Sequence, residues 1–159
     1  MKVSYEPIGI IRSPFKTIEG VPIQPAGAES IRGTVEIFPE YEEGLKDLGG
    51  FSHLILLYHF HRAKKPKLVV IPFMDSEPRG VFSTRAPTRP NSIGLSIVRL
   101  LEIEGCTLTI ENVDILDGTP LLDIKPYVPE FDQYAVKGTG WLEKASGIVK
   151  KKKSDKRFG

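Results

Sequence analysis

The sequence predicts a mainly β domain, a small closed or partly closed β-barrel with short helical additions, on three observations. Glycine (15) and proline (13) punctuate the 159 residues at short intervals. Between them lie short runs rich in Val, Ile, Leu, Phe and Tyr, which suit a pleated, half-buried surface. No strand-like and helix-like segments alternate as a parallel sheet requires. Closure into a barrel would also remove the exposed edges that such strands leave.

Strands are expected at residues 5–12, 30–38, 53–61, 67–73, 80–84, 96–104, 107–115, 121–125 and 140–144, each an apolar or β-branched run bounded by turn residues. Gly105-Cys106 turns the chain into residues 107–115, where Leu108 and Ile110 mark a half-buried face. Asp117-Gly118-Thr119-Pro120 is a turn of the same kind. One helix is expected from Pro39. Proline suits a first turn, Glu40, Glu42 and Glu43 favour the positive end of the dipole, and Tyr41, Leu45 and Leu48 share a face before Gly49-Gly50 stops it. A second helical turn is expected over residues 131–136.

Charge is unevenly spread. The last ten residues carry six cations against Asp155, +5, so the +2 of the whole chain leaves residues 1–149 at −3. The chain therefore divides into a barrel domain, residues 1–144, and a basic tail, residues 145–159, expected to stay flexible and able to attract polyanions. A solvated terminus explains the same charge. A single cysteine excludes a disulfide scaffold. The longest apolar run, residues 54–58, cannot span a bilayer, and the N-terminus lacks the pattern of a signal peptide, so a cytoplasmic protein with no membrane partner is expected.

The usual phosphate-cradling glycine motifs are absent, as are CxxC and HExxH pairs. His53, His59 and His61 read better as strand histidines than as metal ligands, and no metal is expected. Residues 79–94 are unusual for a loop. Arg79, Arg85 and Arg89 are interleaved with Ser83, Thr84, Thr88, Asn91 and Ser92, while Pro87 and Pro90 stiffen the backbone. Guanidinium groups on a rigid loop suit a carboxylate or phosphate. Asp123 and Lys125, beside Tyr127, read equally as a salt bridge or as a general base with its orienting partner.

Five segments occur in order: PIGIIRSPF (7–15), QPAG (24–27), GGFSHLILLYHFHR (49–62), GVFSTRAPTRPNSIGLS (80–96) and DILDGTPLLDIKPYVPEFD (114–132). Together they resemble the TsaA-like family, also called TrmO. The resemblance implies a small β-barrel that binds S-adenosyl-L-methionine, assembles as a homodimer and methylates N6 of threonylcarbamoyl-adenosine beside the tRNA anticodon. It implies cofactor contacts from Gln24, Pro25, Ala26, His61, Arg62, Arg85, Arg89, Leu95, Leu116, Asp117, Gly118 and Thr119. Arg85 or Arg89 suits a carboxylate or a phosphate, and Asp117 an ammonium or ribose hydroxyls. Asp123 or Asp117 is the expected acceptor of the N6 proton, with Lys125 orienting it and Tyr127 offering a face for base stacking. Many bacterial members continue into a C-terminal domain that helps to hold tRNA. In this chain the basic tail is expected to supply phosphate contacts. The alternatives are methylation of another RNA or a small metabolite, and a sensing module that binds the cofactor without turnover.

Overall fold

In a computed structural model, which describes residues 1–23, 25–145 and 153–154, six antiparallel strands close into a barrel. They are β1 (Gly9–Arg12), β2 (Arg32–Ile37), β3 (His53–His59), β6 (Ile93–Glu104), β7 (Thr107–Glu111) and β8 (Thr119–Pro126), in the order β1-β2-β7-β6-β3-β8 around the wall. A separate two-stranded ribbon, β4 (Val69–Val70) with β5 (Arg79–Gly80), stands beside it.

Strict alternation builds the wall. Leu54, Leu56 and Tyr58 of β3, Leu108 and Ile110 of β7, and Val35 and Ile37 of β2 point inward, and with Ile11, Val98 and Leu121 they form one core. Their neighbours in sequence face outward because side chains on a strand alternate with period two. A satellite core of Val70, Val81 and Ala86, with Phe73 against it, anchors the ribbon and the arginine-rich loop. Among the described residues no helix is long and apolar enough to cross a membrane.

Several elements differ from expectation, each for a local reason. Residues 80–84 do not continue as a strand. After β5 the chain makes a 3-10 turn, Val81–Ser83, because Ser83 Oγ donates to the Gly80 carbonyl and Thr84 Oγ1 to that of Val81 (both 2.8 Å). Residues 140–144 form a 3-10 helix, Gly140–Ala145, which Gly140 enters at φ 60°. The helix expected from Pro39 is two 3-10 pieces, Pro39–Leu45 and Leu48–Gly50, parted by Asp47 at φ 65°. Leu45 and Leu48 reach the core, whereas Tyr41 remains exposed. The strand from Thr107 ends at Glu111 because Asn112 takes φ 67°. The later helical turn is α1 (Pro129–Asp132), before the exposed Tyr134 and Val136.

Two tail residues also pack. Lys153 bridges to Pro22, the Ser154 amide donates to the Val21 carbonyl (2.8 Å), and Ser154 Oγ donates to the Ile18 carbonyl. The remainder of the basic run lies outside the described residues.

Candidate functional site

A cleft of about 1000 Å³ opens where the end of β3, the start of β6 and the segment from Asp114 to Thr119 meet the arginine-rich loop. Its floor is polar. Ser96 Oγ donates to Asp114 Oδ1 (2.6 Å) and lies 2.9 Å from the Tyr58 hydroxyl, making a tyrosine–serine–aspartate chain. Ser96 and Tyr58 are buried, so the chain has little access to water. Burial raises the Asp114 carboxyl to about 7, outweighing the Ser96 hydrogen bond and the charge of Arg85. Burial, with the Asp114 charge behind it, also lifts the Tyr58 phenol well above its ordinary value. Tyr58 fits because its cross-strand partner is Gly94; a Cβ there would come within 2.2 Å of the ring.

The walls are apolar. Ile93, Leu95 and Ile97 alternate outward along β6 and stay partly exposed. Arg85 and Arg89 both line the cleft but are placed differently. Arg89 Nη1 donates to the carbonyls of Thr84 (3.1 Å) and Ala86 (3.3 Å), stapling its own loop, while Arg85 is exposed at the rim. Arg79 is engaged elsewhere, 2.7 Å from Asp75 and 5.8 Å from the centre of the Trp141 ring. Thr119 Oγ1 donates to the Leu116 carbonyl (2.7 Å) and can accept from His61 Nδ1 (3.4 Å). Burial, then the neighbouring Arg62, holds His61 below its ordinary pKa, favouring the neutral ring.

A family model for the tRNA-methyltransferase O N-terminal domain matches residues 10–133. The chain belongs to the TrmO family. Among its relatives, a probable S-adenosyl-L-methionine-binding protein of Pyrococcus abyssi is 60% identical over 158 residues, covering 99% of this chain and 86% of the relative. A tRNA (adenine(37)-N6)-methyltransferase of Homo sapiens is 39% identical over 135 residues, 80% of this chain but 30% of the human protein. The crystal structure of TrmO from Pseudomonas aeruginosa superposes with a TM-score of 0.74 at 43% identity, covering 89% of this chain and 63% of that one. The chain thus spans less than two thirds of that crystallised TrmO and less than a third of the human relative.

Of the cofactor residues that the TrmO resemblance implies, Ala26, His61, Arg62, Arg85, Arg89, Leu95, Leu116 and Thr119 converge on the cleft. Gln24 lies outside the described residues, and Pro25 opens the short 3-10 turn Pro25–Gly27. Asp117 and Gly118 are not part of the lining. Asp117 accepts from the Ser13 amide (3.0 Å) and pairs with Lys16 (2.8 Å), whose hydrogen bond holds its carboxyl below the ordinary range. Gly118, at φ 74°, donates its amide to the Ile11 carbonyl (2.9 Å).

Asp123, Lys125 and Tyr127 also stand outside the cleft. Asp123 is four residues along β8 from Thr119, about 13 Å at strand spacing. It forms an exposed ion pair with Lys125 (2.8 Å), and the Tyr127 ring packs edge-on to His53. His61, expected at the end of the strand 53–61, instead follows β3 in a turn. No group of three or more metal-ligating side chains occurs among the described residues. Sequence reasoning assigned no role to Asp114, Ser96, Tyr58 or Trp141. One signal was available for Asp114, an acid between two apolar residues, Val113 and Ile115, directly before a tight turn.

Proposed function

We propose that the chain binds S-adenosyl-L-methionine in this cleft and methylates N6 of threonylcarbamoyl-adenosine beside a tRNA anticodon. What carries the reading is one cleft that joins a rim guanidinium, a floor carboxylate and apolar walls. That donor set matches a ligand with a carboxylate, a cationic centre and an aromatic base. The names of the human and Pyrococcus relatives support the reaction and the cofactor respectively.

Bound here, S-adenosyl-L-methionine would supply an activated methyl group, leaving this chain mainly to position and deprotonate. Arg85 would pair with the cofactor carboxylate. Thr119 and neutral His61 present polar atoms at the floor, and the outer face of β6 would cover the adenine. Asp114, whose carboxyl burial raises to about 7, would accept the proton that N6 gives up. Ser96, backed by Tyr58, holds the carboxylate in place. In this account Asp114 assumes the role expected of Asp123 or Asp117.

The protein acts as a cytoplasmic homodimer. Supporting the dimer is the outward apolar face of β3, Ile55 and Leu57, which stays half-buried beside the cleft wall.

The test is calorimetric titration with S-adenosyl-L-methionine, repeated with Arg85→Ala, alongside transfer of labelled methyl to tRNA. One-site binding weakened by the substitution, with label in tRNA, is expected. Binding without transfer to any RNA would favour a sensing module, and absence of binding would remove the proposal.

A further inference from the structure

Phe82 differs from the rest of the cleft lining. The residue is 76% exposed, yet the backbone that carries it is pinned on both sides. Val81 is buried in the satellite core, and its amide donates to the Leu68 carbonyl (2.9 Å). Hydroxyls of Ser83 and Thr84 bond back to the carbonyls of Gly80 and Val81. The Ser83 carbonyl accepts the Trp141 indole N–H (2.8 Å). An aromatic ring exposed on a fixed backbone forgoes the stabilisation of burial, and a flat partner that covers it need not order the loop as well.

The surroundings say what that partner is. The Val81–Leu68 bond and the β4–β5 pairing set Leu68 beside Val81, so the segment that runs from His61 to Lys67 ends next to the Phe82 backbone, and its first residues, Arg62 and Ala63, line the same cleft as the ring. That segment, RAKKPK, contains Lys64, Lys65 and Lys67, all exposed, and no acid. An aromatic face beside a cationic run suits a base with its flanking phosphates, whereas an apolar peptide or a lipid chain would use the ring and waste the charge. The cleft also stands at the upper end of the roughly 300–1000 Å³ range of small-molecule sites, leaving room for a second flat ligand.

We propose that Phe82 is the platform on which the methyl-accepting nucleobase stacks, turned out of an RNA loop, with residues 64–67 tracking the adjacent phosphates. The proposal rests on the reading of the chain as an RNA methyltransferase and adds the surface that receives the acceptor.

The test uses the full chain and an RNA stem-loop in which 2-aminopurine replaces the unpaired loop adenosine. Phe82→Ala, Phe82→Leu and Phe82→Trp are compared with the parent by RNA affinity and by 2-aminopurine quenching. Calorimetry with S-adenosyl-L-methionine runs in parallel, and the exposure of Phe82 means that all three variants should fold. Loss of the ring should weaken RNA binding roughly 10- to 100-fold and abolish quenching, with cofactor affinity unchanged. Trp should restore both signals and Leu neither. Phe82→Ala that weakens the cofactor instead, Leu that behaves as the parent, or no change in RNA binding would each overturn the platform. If the parent chain binds and methylates RNA while Phe82→Ala is neutral, only the platform falls. If the parent binds no RNA, the methyltransferase reading falls and takes the platform with it.

Discussion

Replacing Asp114 with Asn should change how stability depends on pH. The Asp114 carboxyl stands at about 7 in the fold against 3.8 for the unperturbed group, because burial disfavours its charge. Between these values the folded chain holds a proton that the unfolded chain has released, so stability falls as pH rises. The contribution is fully present below about 4 and gone above about 7. A shift near three units, at 1.36 kcal/mol each, gives an upper limit of roughly 4 kcal/mol, which partial exposure of the carboxyl reduces. Asparagine keeps the shape, leaves Ser96 a partner and carries no charge. Urea unfolding at pH 5 and pH 8 should therefore show the parent losing a few kcal/mol more than Asp114→Asn across the interval. The variant should also be the more stable protein at pH 8, while methyl transfer falls with loss of the proton acceptor. Parallel pH profiles for the two proteins would refute the argument, since they would mean that Asp114 ionises freely in the fold.

Other expectations follow from single contacts. Gly94→Ala should cost roughly 1–3 kcal/mol in chemical denaturation, because its Cβ meets a Tyr58 ring tied by its hydroxyl to Ser96. Arg89→Ala removes the loop's two carbonyl bonds and should speed hydrogen exchange over residues 84–89, whereas Arg85→Ala should weaken ligand binding. Asp117 has a depressed carboxyl, so its contribution is present above the unfolded pKa and disappears as pH falls through the folded value. Thermal melts of Asp117→Asn should accordingly lose less stability on acidification than the parent, and an equal loss would discount the Lys16 and Ser13 contacts.

What the sequence made legible was whatever depends on alternation and turn chemistry. Period-two burial in residues 107–111 follows from the order of apolar residues alone, as does the Gly105-Cys106 hairpin, whereas residues 54–58 are apolar throughout and only the strand pairing decides which of them face inward. The short segments were harder. Residues 80–84 and 140–144 have strand-like composition, but hydroxyl-to-carbonyl bonds and a left-handed Gly140 bend them into 3-10 turns. The site was half visible. Arg85, His61 and Thr119 stood in recognisable motifs, yet only the fold sets the guanidinium of Arg89 against its own loop and that of Arg85 at the rim. Nothing in the spacing of residues 58, 96 and 114 says that their polar atoms meet, because three different chain segments deliver them.

The barrel closes where β1 meets β8, through the pairs Gly9–Leu121, Ile10–Pro120 and Ile11–Thr119. During synthesis β1 would emerge about 110 residues ahead of its partner, an interval of roughly 5 to 20 s at ordinary elongation rates. Through that wait β1 could pair with β2, but its other edge would remain a template for unwanted strands. The same late segment brings Asp114, Leu116 and Thr119, so the floor of the cleft arrives with the final stave. Completion of the cleft and closure of the barrel are thus a single late event in the life of the nascent chain, and slow elongation before residue 114 would prolong the edge's exposure without supplying a site to protect it.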